Sequence, residues 1–454
     1  LFQNSKSYRP KIKNCIFHGN SSGGAFGNMD LTYSVVQGSY IGTGNKDQAP
    51  LFKKSTSTDY TLSDYSPAIG AATSTGAPTT DLTGATRGSP PDMGAYENSL
   101  STPLSDSDAP VVSHVREGLT GDLAFIGTTT QMSAHWNGSD AGSGITKYEY
   151  AVDTEAANIT GSVVGWTSAG TDTSVTITTG LAMAEGTTYY VSVRATDVVG
   201  NVSAVVTSNG VQSDITAPTV GTVIHGTTDF IRWTSDSASV TATWSGFSDG
   251  GSGIKEYEVL LGDSLNNSNV ADWTNVGAVL TSTFSGLTLA NNGLYYLKVR
   301  ASDHVGNLSQ TAVSADFQVD TQKPLITSLI ETVDDLENDI DWAGPDMDII
   351  HRWSGEDNGP LLQYEFSVGT GDGAADIIPW TNVGLDTTDT TSFEDYEEGE
   401  IYFTNVQAKD YAENLSDVVA SDGFEIDATP PETGTVNDGT SADITYSELA
   451  DELS

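Results

Sequence analysis

Oxygen-bearing side chains recur at a fixed interval along this chain. Asp106, Asp214, Asp320 and Asp427 each stand four residues before a proline, and Pro110, Pro218, Pro324 and Pro431 are 108, 106 and 107 residues apart. Between them come Asp140, Asp249 and Asp357, then Asp197, Asp303 and Asp410. Each of the last three is followed four residues later by an asparagine: Asn201, Asn307 and Asn414. Asp108 adds a further acid to the first set. Carboxylates and carbonyls gathered at one place suit a hard cation such as Ca²⁺, which takes about 6–8 oxygen ligands. A plainer role is also open to Asp197 and Asp303, which can cap turns through backbone N–H groups while Gly200 and Gly306 supply positive φ. The two roles are compatible.

Other chemistry finds little support. His18, His114, His135, His225, His304 and His351 fall at unrelated positions of the interval. Cys15 lies beside Ile16 and Phe17, so a buried structural thiol is expected. No zinc-protease, P-loop or dinucleotide fingerprint is present. Carboxylate pairs are too abundant to single out an acid and a base. No catalytic residue and no organic cofactor is therefore assigned, and an enzyme is not expected over this length.

Charge narrows the partners. Residues 1–100 hold 8 basic and 7 acidic residues, whereas the other 354 hold 10 and 54, for a total of −43. Such a field repels nucleic acid and anionic membranes and attracts cations. It equally suits a solvated surface in high salt. No stretch approaches the roughly 20 apolar residues that cross a bilayer as a helix. A single cysteine excludes a disulfide framework within the chain. Leu1 begins and Ser454 ends in mid-pattern, so secretion and anchoring signals are expected outside this segment.

What must position the acids is a repeat of about 107 residues. Trp136, Trp244 and Trp353 follow the prolines, each within W-x-G. A second tryptophan sits in GWTSAG, DWTNVG and PWTNVG at Trp166, Trp273 and Trp380. Then come TYYVSVRATDVVGNVS, LYYLKVRASDHVGNLS and IYFTNVQAKDYAENLS. Within each copy apolar residues alternate, as in Met132-Ala134-Trp136, Tyr257-Val259-Leu261 and Tyr402-Thr404-Val406-Ala408. A period of two means half-buried strands. About seven short strands per copy predict an immunoglobulin-like β-sandwich.

These copies resemble the fibronectin type III family. The likeness lies in the early-strand tryptophan and in Y-x-V-x-V-x-A, where Tyr189, Tyr295 and Tyr402 would be corner tyrosines. The resemblance implies that the loops carrying Asp140 and Asp197, and their counterparts, meet at the pole where the chain enters. There they would join Asp106, Asp214 or Asp320. It implies nothing specific about function, because such domains serve as spacers, adhesion modules and enzyme accessories. The third copy departs from its siblings. It carries 26 acidic and 3 basic residues over 321–427, has His351 where Ala134 and Ala242 stand, and has Glu413 in place of Gly200 and Gly306.

Residues 1–98 differ in kind. Asn14–Gly24 and Met29–Tyr40 are short apolar runs broken by Gly and Asn, which resemble rungs of a right-handed parallel β-helix. The series Ala49-Pro50-Leu51-Phe52, Asp59-Tyr60-Thr61-Leu62, Ser66-Pro67-Ala68-Ile69, Asp81-Leu82-Thr83-Gly84, Arg87-Gly88 and Asp92 to Glu97 resembles the closing segment of choice-of-anchor surface proteins. Gly70-Ala71-Ala72 replaces the usual Asp-Ala-Gly. Such a segment would cap the open end of a solenoid.

The expected architecture is thus all-β. It comprises a parallel β-helix end over 1–98, a linker over 99–106, sandwiches over 107–214, 215–320 and 321–427, and the start of a fourth repeat over 428–454. The expected function is structural: a stalk within a long extracellular bacterial adhesin or filament, stiffened by calcium where repeats join. Its partners would be neighbouring repeats of the same longer chain, copies of itself in a homo-oligomeric filament, or a cell-surface or glycan target. The alternative is an accessory region of a secreted β-helix enzyme that degrades polysaccharide.

Overall fold

The computed structural model describes residues 9–19, 29–38, 40–53, 59–157, 160–333, 338–344, 347–392 and 396–434. Every regular element among them is a β-strand. Residues 20–24 of the first expected rung, and 435–454 of the expected fourth repeat, lie outside the described residues. The chain divides into two compact units, the first being 1–217 with the loops 249–253 and 302–307, and the second the remainder.

The first unit begins with two short parallel pairs, Lys11–Lys13 with Asp30–Thr32 and Ile16–Phe17 with Val35–Val36. Their apolar side chains close on Leu62, Ala68, Ile69 and Met93. The segment that follows is held by interlocked polar groups. Arg87 Nη2 donates to Gly94 O (2.8 Å) and Nη1 meets Glu97 Oε2 (3.1 Å). Glu97 also accepts from the Gly88 and Asp92 N–H groups. Asp92 in turn accepts from Gly70 N and Asn98 N. Asp81 accepts from Thr83, Ala85 and Glu97, and the Thr83 hydroxyl leads in holding its pKa down to about 2. A long run with little regular structure therefore satisfies part of its backbone through side chains and the rest through scattered backbone pairs, which explains why acids, Arg87 and glycines are so densely placed.

The first sandwich faces a three-stranded sheet (Ser174–Ile177, Met132–Ser139, Val111–Glu117) with a larger one. The larger sheet runs Phe125–Ile126, Val211–Ser213, Thr188–Asp197, Ile145–Asp153 and Val164–Gly170. The second unit repeats this plan with Thr222–His225, Ser239–Ser245 and Thr281–Ser285, and again with Leu325–Thr332, Ile349–Glu356 and Thr388–Thr391. Alternation puts Met132, Ala134 and Trp136 inward against Tyr148, Val191 and Val193. Trp244 and Trp353 occupy the same place in the next two cores. The three tryptophans are at most 3% exposed, so they are core residues.

Tyr189, Tyr295 and Tyr402 are buried, and each hydroxyl accepts from a backbone N–H five residues upstream: Ala184 (2.8 Å), Ala290 (2.8 Å) and Glu397 (2.7 Å). These are corner tyrosines. The second tryptophan series lies on the outer face, with the guanidinium of Arg194 4.3 Å over Trp166 and that of Arg300 4.4 Å over Trp273.

Candidate metal centres

Each sandwich ends two of its strands at one acidic pole. In the first, Ile145–Asp153 is preceded by the loop of Asp140, and Thr188–Asp197 ends on Asp197 itself. The connecting segment brings Asp106 to the same point. One carboxylate oxygen from each of Asp106, Asp140 and Asp197 lies within 4.8 Å of the others. Asp214, Asp249 and Asp303, all in the first compact unit, form the same group, as do Asp320, Asp357 and Asp410 in the second. The structure therefore brings together nine of the fourteen residues singled out by spacing.

The loops that carry these acids are wound around them. Asp140 Oδ2 accepts from Gly142 N (3.0 Å) and Gly144 N (2.7 Å), and Asp249 Oδ2 from Gly251 N (3.1 Å) and Gly253 N (2.7 Å). Asp357 Oδ2 accepts from Gly359 N (2.9 Å). Asp303 Oδ1 accepts from Val305, Gly306 and Asn307 N–H groups at 2.7–3.0 Å. The connecting aspartates also accept backbone N–H groups from the loop, Asp106 from Ser143 N and Asp214 from Ser252 N, both at 2.6 Å. That contact explains a glycine that spacing did not flag. A Cβ on Gly142 would lie 2.4 Å from the Asp106 carboxylate carbon, and one on Gly251 the same distance from that of Asp214.

Asn201, Asn307 and Asn414 act as struts. Their Nδ2 groups donate to Asp197, Asp303 and Asp410 Oδ2 at 2.7–2.8 Å. They also donate to the carbonyls of Asp106, Asp214 and Asp320 at 2.8–3.3 Å. Amide N–H groups, rather than amide oxygens, are thus turned toward the acids. Asp108 is exposed and stands outside the group, contributing its carbonyl to Asn201 (3.2 Å). Asp427 is exposed and caps Thr429 N (2.9 Å), and no acidic group forms around it among the described residues.

Turn capping satisfies most of these oxygens but leaves one over in each group. Asp140 Oδ1, Asp249 Oδ1 and Asp357 Oδ1 are buried and have no hydrogen-bond partner. No ion pair of the described residues includes any of the nine acids. At an effective dielectric of about 20, two like charges 4–5 Å apart repel by roughly 3–4 kcal/mol. Burial, then the charges of Asp320 and Asp410, push the Asp357 carboxyl up. Backbone N–H groups offset part of this repulsion, and a divalent cation would remove the rest.

The remaining candidates have structural surroundings. Cys15 is half-buried rather than enclosed, on the wall of a cleft of about 550 Å³ with Phe52, Tyr60 and Tyr96. Burial raises its thiol pKa, which makes it a poorer nucleophile. His225 stacks on Phe317 at 4.0 Å, and His351 is enclosed in the third core.

No known family model matches the chain. Exoglucanase B of Cellulomonas fimi is 30% identical over 236 residues, which cover 50% of this chain and 18% of that protein. The chain thus spans under a fifth of that relative's length. Among solved structures, the FN1-FN3 domains of chicken CNTN1 align at 15% identity over 70% of this chain and 97% of theirs, with a TM-score of 0.28. A 1.5-MDa bacterial ice-binding adhesin aligns at 16% over 71% of this chain and 100% of its own, with a TM-score of 0.35. The fibronectin(III)-like modules of Clostridium thermocellum CbhA align at 16% over 45% of this chain and 94% of theirs, with a TM-score of 0.26. Superpositions this loose carry no functional weight. What stands is an all-β chain of serial sandwiches, similar in sequence over half its length to part of an exoglucanase.

Proposed function

We propose that this chain is a non-catalytic, structural segment of a long extracellular protein, and that its acidic poles bind calcium. The divisions 107–214, 215–320 and 321–427 would be its mechanical units. One observation carries the proposal: the same three-aspartate group is built three times, each time with a buried carboxylate oxygen left without a partner. All-oxygen donor sets suit hard cations. A bound ion would join the segment entering a sandwich to two loops of that sandwich, limiting its swing. Extracellular sites of this kind bind at about 10⁻⁴–10⁻³ M. A surface adhesin or filament stalk is the setting that fits serial spacers under load, and the expected parallel β-helix end would lie before the first of them.

Similarity to part of an exoglucanase favours a second setting, in which the sandwiches are accessories of a secreted polysaccharide-degrading enzyme. The calcium role is the same in both. Melting the chain with and without millimolar Ca²⁺ tests it. At 5 mM Ca²⁺ and a Kd of about 10⁻⁴ M, each site adds about 2 kcal/mol. The melting temperature should rise and fall back after chelation, and an unchanged melting temperature would remove calcium from the account. Pulling single chains would then separate a load-bearing stalk from an accessory region.

A further inference from the structure

A fourth acidic group lies in the third sandwich, and spacing gave no hint of it. Carboxylate oxygens of Glu331, Asp339 and Asp422 lie within 4.8 Å of one another. Glu331 is the seventh residue of the strand Leu325–Thr332 and is 0% exposed, while Asp339 and Asp422 are exposed. The corner is fixed by backbone contacts: Glu331 N donates to Asp339 Oδ1 (3.0 Å) and Ile340 N to Glu331 O (3.1 Å). Glu331 Oε1 accepts from Thr404 N (3.3 Å), whereas its buried Oε2 has no hydrogen-bond partner.

The sibling sandwiches show what is unusual here. In the first, Leu123 N donates to Glu117 O as Ile340 N does to Glu331 O, so Asp122 matches Asp339. Asn209 precedes Gly210 (φ +94°) as Asp422 precedes Gly423 (φ +94°), so Asn209 matches Asp422. There the asparagine donates from Nδ2 to Asp122 Oδ2 at 3.0 Å, and the pair is satisfied internally. In the second sandwich the matching residues are His225, Phe230 and Ala315, and His225 Nδ1 lies 2.8 Å from Ile231 O. Glu117 shares the buried, unpartnered Oε2, so a buried acid alone is a feature of two sandwiches. Only the third replaces the amide donor with a third carboxylate and so assembles an all-oxygen set facing that buried acid.

We propose that Glu331, Asp339 and Asp422 form a separate binding site for a hard divalent cation, calcium being the probe of choice. The ion would bridge the end of the strand Leu325–Thr332 to the turn before the strand Phe424–Ile426. It is independent of the three polar junction groups, since it shares no residue with them. Two exposed carboxylates admit the ion, and the enclosed Glu331 anchors it. Like charges otherwise crowd this corner, and burial followed by the Asp422 charge raises the Asp339 carboxyl.

Hydrogen–deuterium exchange of the full chain, with and without 5 mM CaCl₂, tests the site. Calcium should slow exchange over 325–332 and 419–426 by at least tenfold. Asp422→Asn restores the amide of the first sandwich and should fold at least as stably in chelator. It should lose that protection while the loops 249–253 and 302–307 keep theirs. Asp339→Asn should do the same. Calcium-insensitive exchange over 325–332 in the unmodified chain would overturn the proposal, and so would protection that survives in both variants. Because the junction loops are read in the same experiment, failure here is distinguishable from failure of the junction sites.

Discussion

Lowering the pH should loosen the third sandwich specifically, through His351. Where the first core holds Ala134, Ile177 and Val191, and the second Ala242, Phe284 and Leu297, the third holds His351, Thr391 and Thr404. His351 Nδ1 lies 2.7 Å from Thr404 Oγ1 and Nε2 lies 2.8 Å from Thr391 Oγ1, which also meets the Tyr396 hydroxyl. Burial lowers the imidazole pKa from 6.5 to about 3. The unfolded chain therefore takes up a proton that the folded chain refuses. Stability present above pH 6.5 is lost as pH falls toward 3, at about 1.4 kcal/mol per unit. Between pH 7.5 and pH 5 the loss is about 2 kcal/mol, a roughly 30-fold rise in the open population. Exchange of backbone amides in 349–356 and 401–410, corrected for the intrinsic pH dependence of exchange, reads this directly.

The control is the triple variant His351→Ala, Thr391→Ile, Thr404→Val, which installs the residues of the first core. Glu331 lies in the same sandwich and burial pushes its carboxyl up, which acts in the opposite direction. It is present in both proteins, and loss of the Thr404 hydroxyl, which helps hold that carboxyl down, raises it further in the variant, so the difference between the two keeps its sign. Tyr396 loses its contact with Thr391, a cost of about 1 kcal/mol that is equal at every pH. The wild-type chain should lose about 2 kcal/mol more than the variant across this interval. Equal pH dependence in the two would refute the assignment of His351 as a buried, neutral group.

Three further outcomes follow from single positions. Glu413 sits at φ +68° where its siblings have Gly200 and Gly306, and its ion pair with Lys409 is long and exposed; Glu413→Gly should stabilise the third sandwich by about 1 kcal/mol in urea unfolding. Tyr295→Phe leaves the Ala290 N–H without its acceptor and should cost about 1–3 kcal/mol in the same assay. Gly251→Ala drives a methyl into the Asp214 carboxylate and should weaken calcium binding at that one group about tenfold, read by calorimetric titration.

Strands and cores were legible because alternation and the repeat interval act together: Trp136, Trp244 and Trp353 had to face inward for the pattern to bury anything. The junction acids were legible because a repeat that returns Asp, Asp and Asp at matching turns also returns their geometry. The parts that were not legible depend on orientation and on single replacements. Spacing gave Asn201 the role of an oxygen ligand, but the amide is turned so that its N–H groups brace Asp197 and the Asp106 carbonyl. Asp108 lies two residues beyond Asp106, yet only Asp106 turns its carboxylate to the loop. The group at Glu331 escaped because its members belong to no common spacing and become a set only when one asparagine position turns acidic. Over residues 14–98 the hydrogen-bond lattice around Arg87, Asp92 and Glu97 has no periodicity that a sequence could display.

Calorimetric titration of Ca²⁺ into the full chain, stripped of metal, bears most directly on the junction groups. Three sites with Kd near 10⁻⁴–10⁻³ M are expected there, and Asp197→Asn, Asp303→Asn and Asp410→Asn made together should abolish their heat. A flat titration, or heat unchanged in that triple variant, would contradict calcium binding by these aspartates.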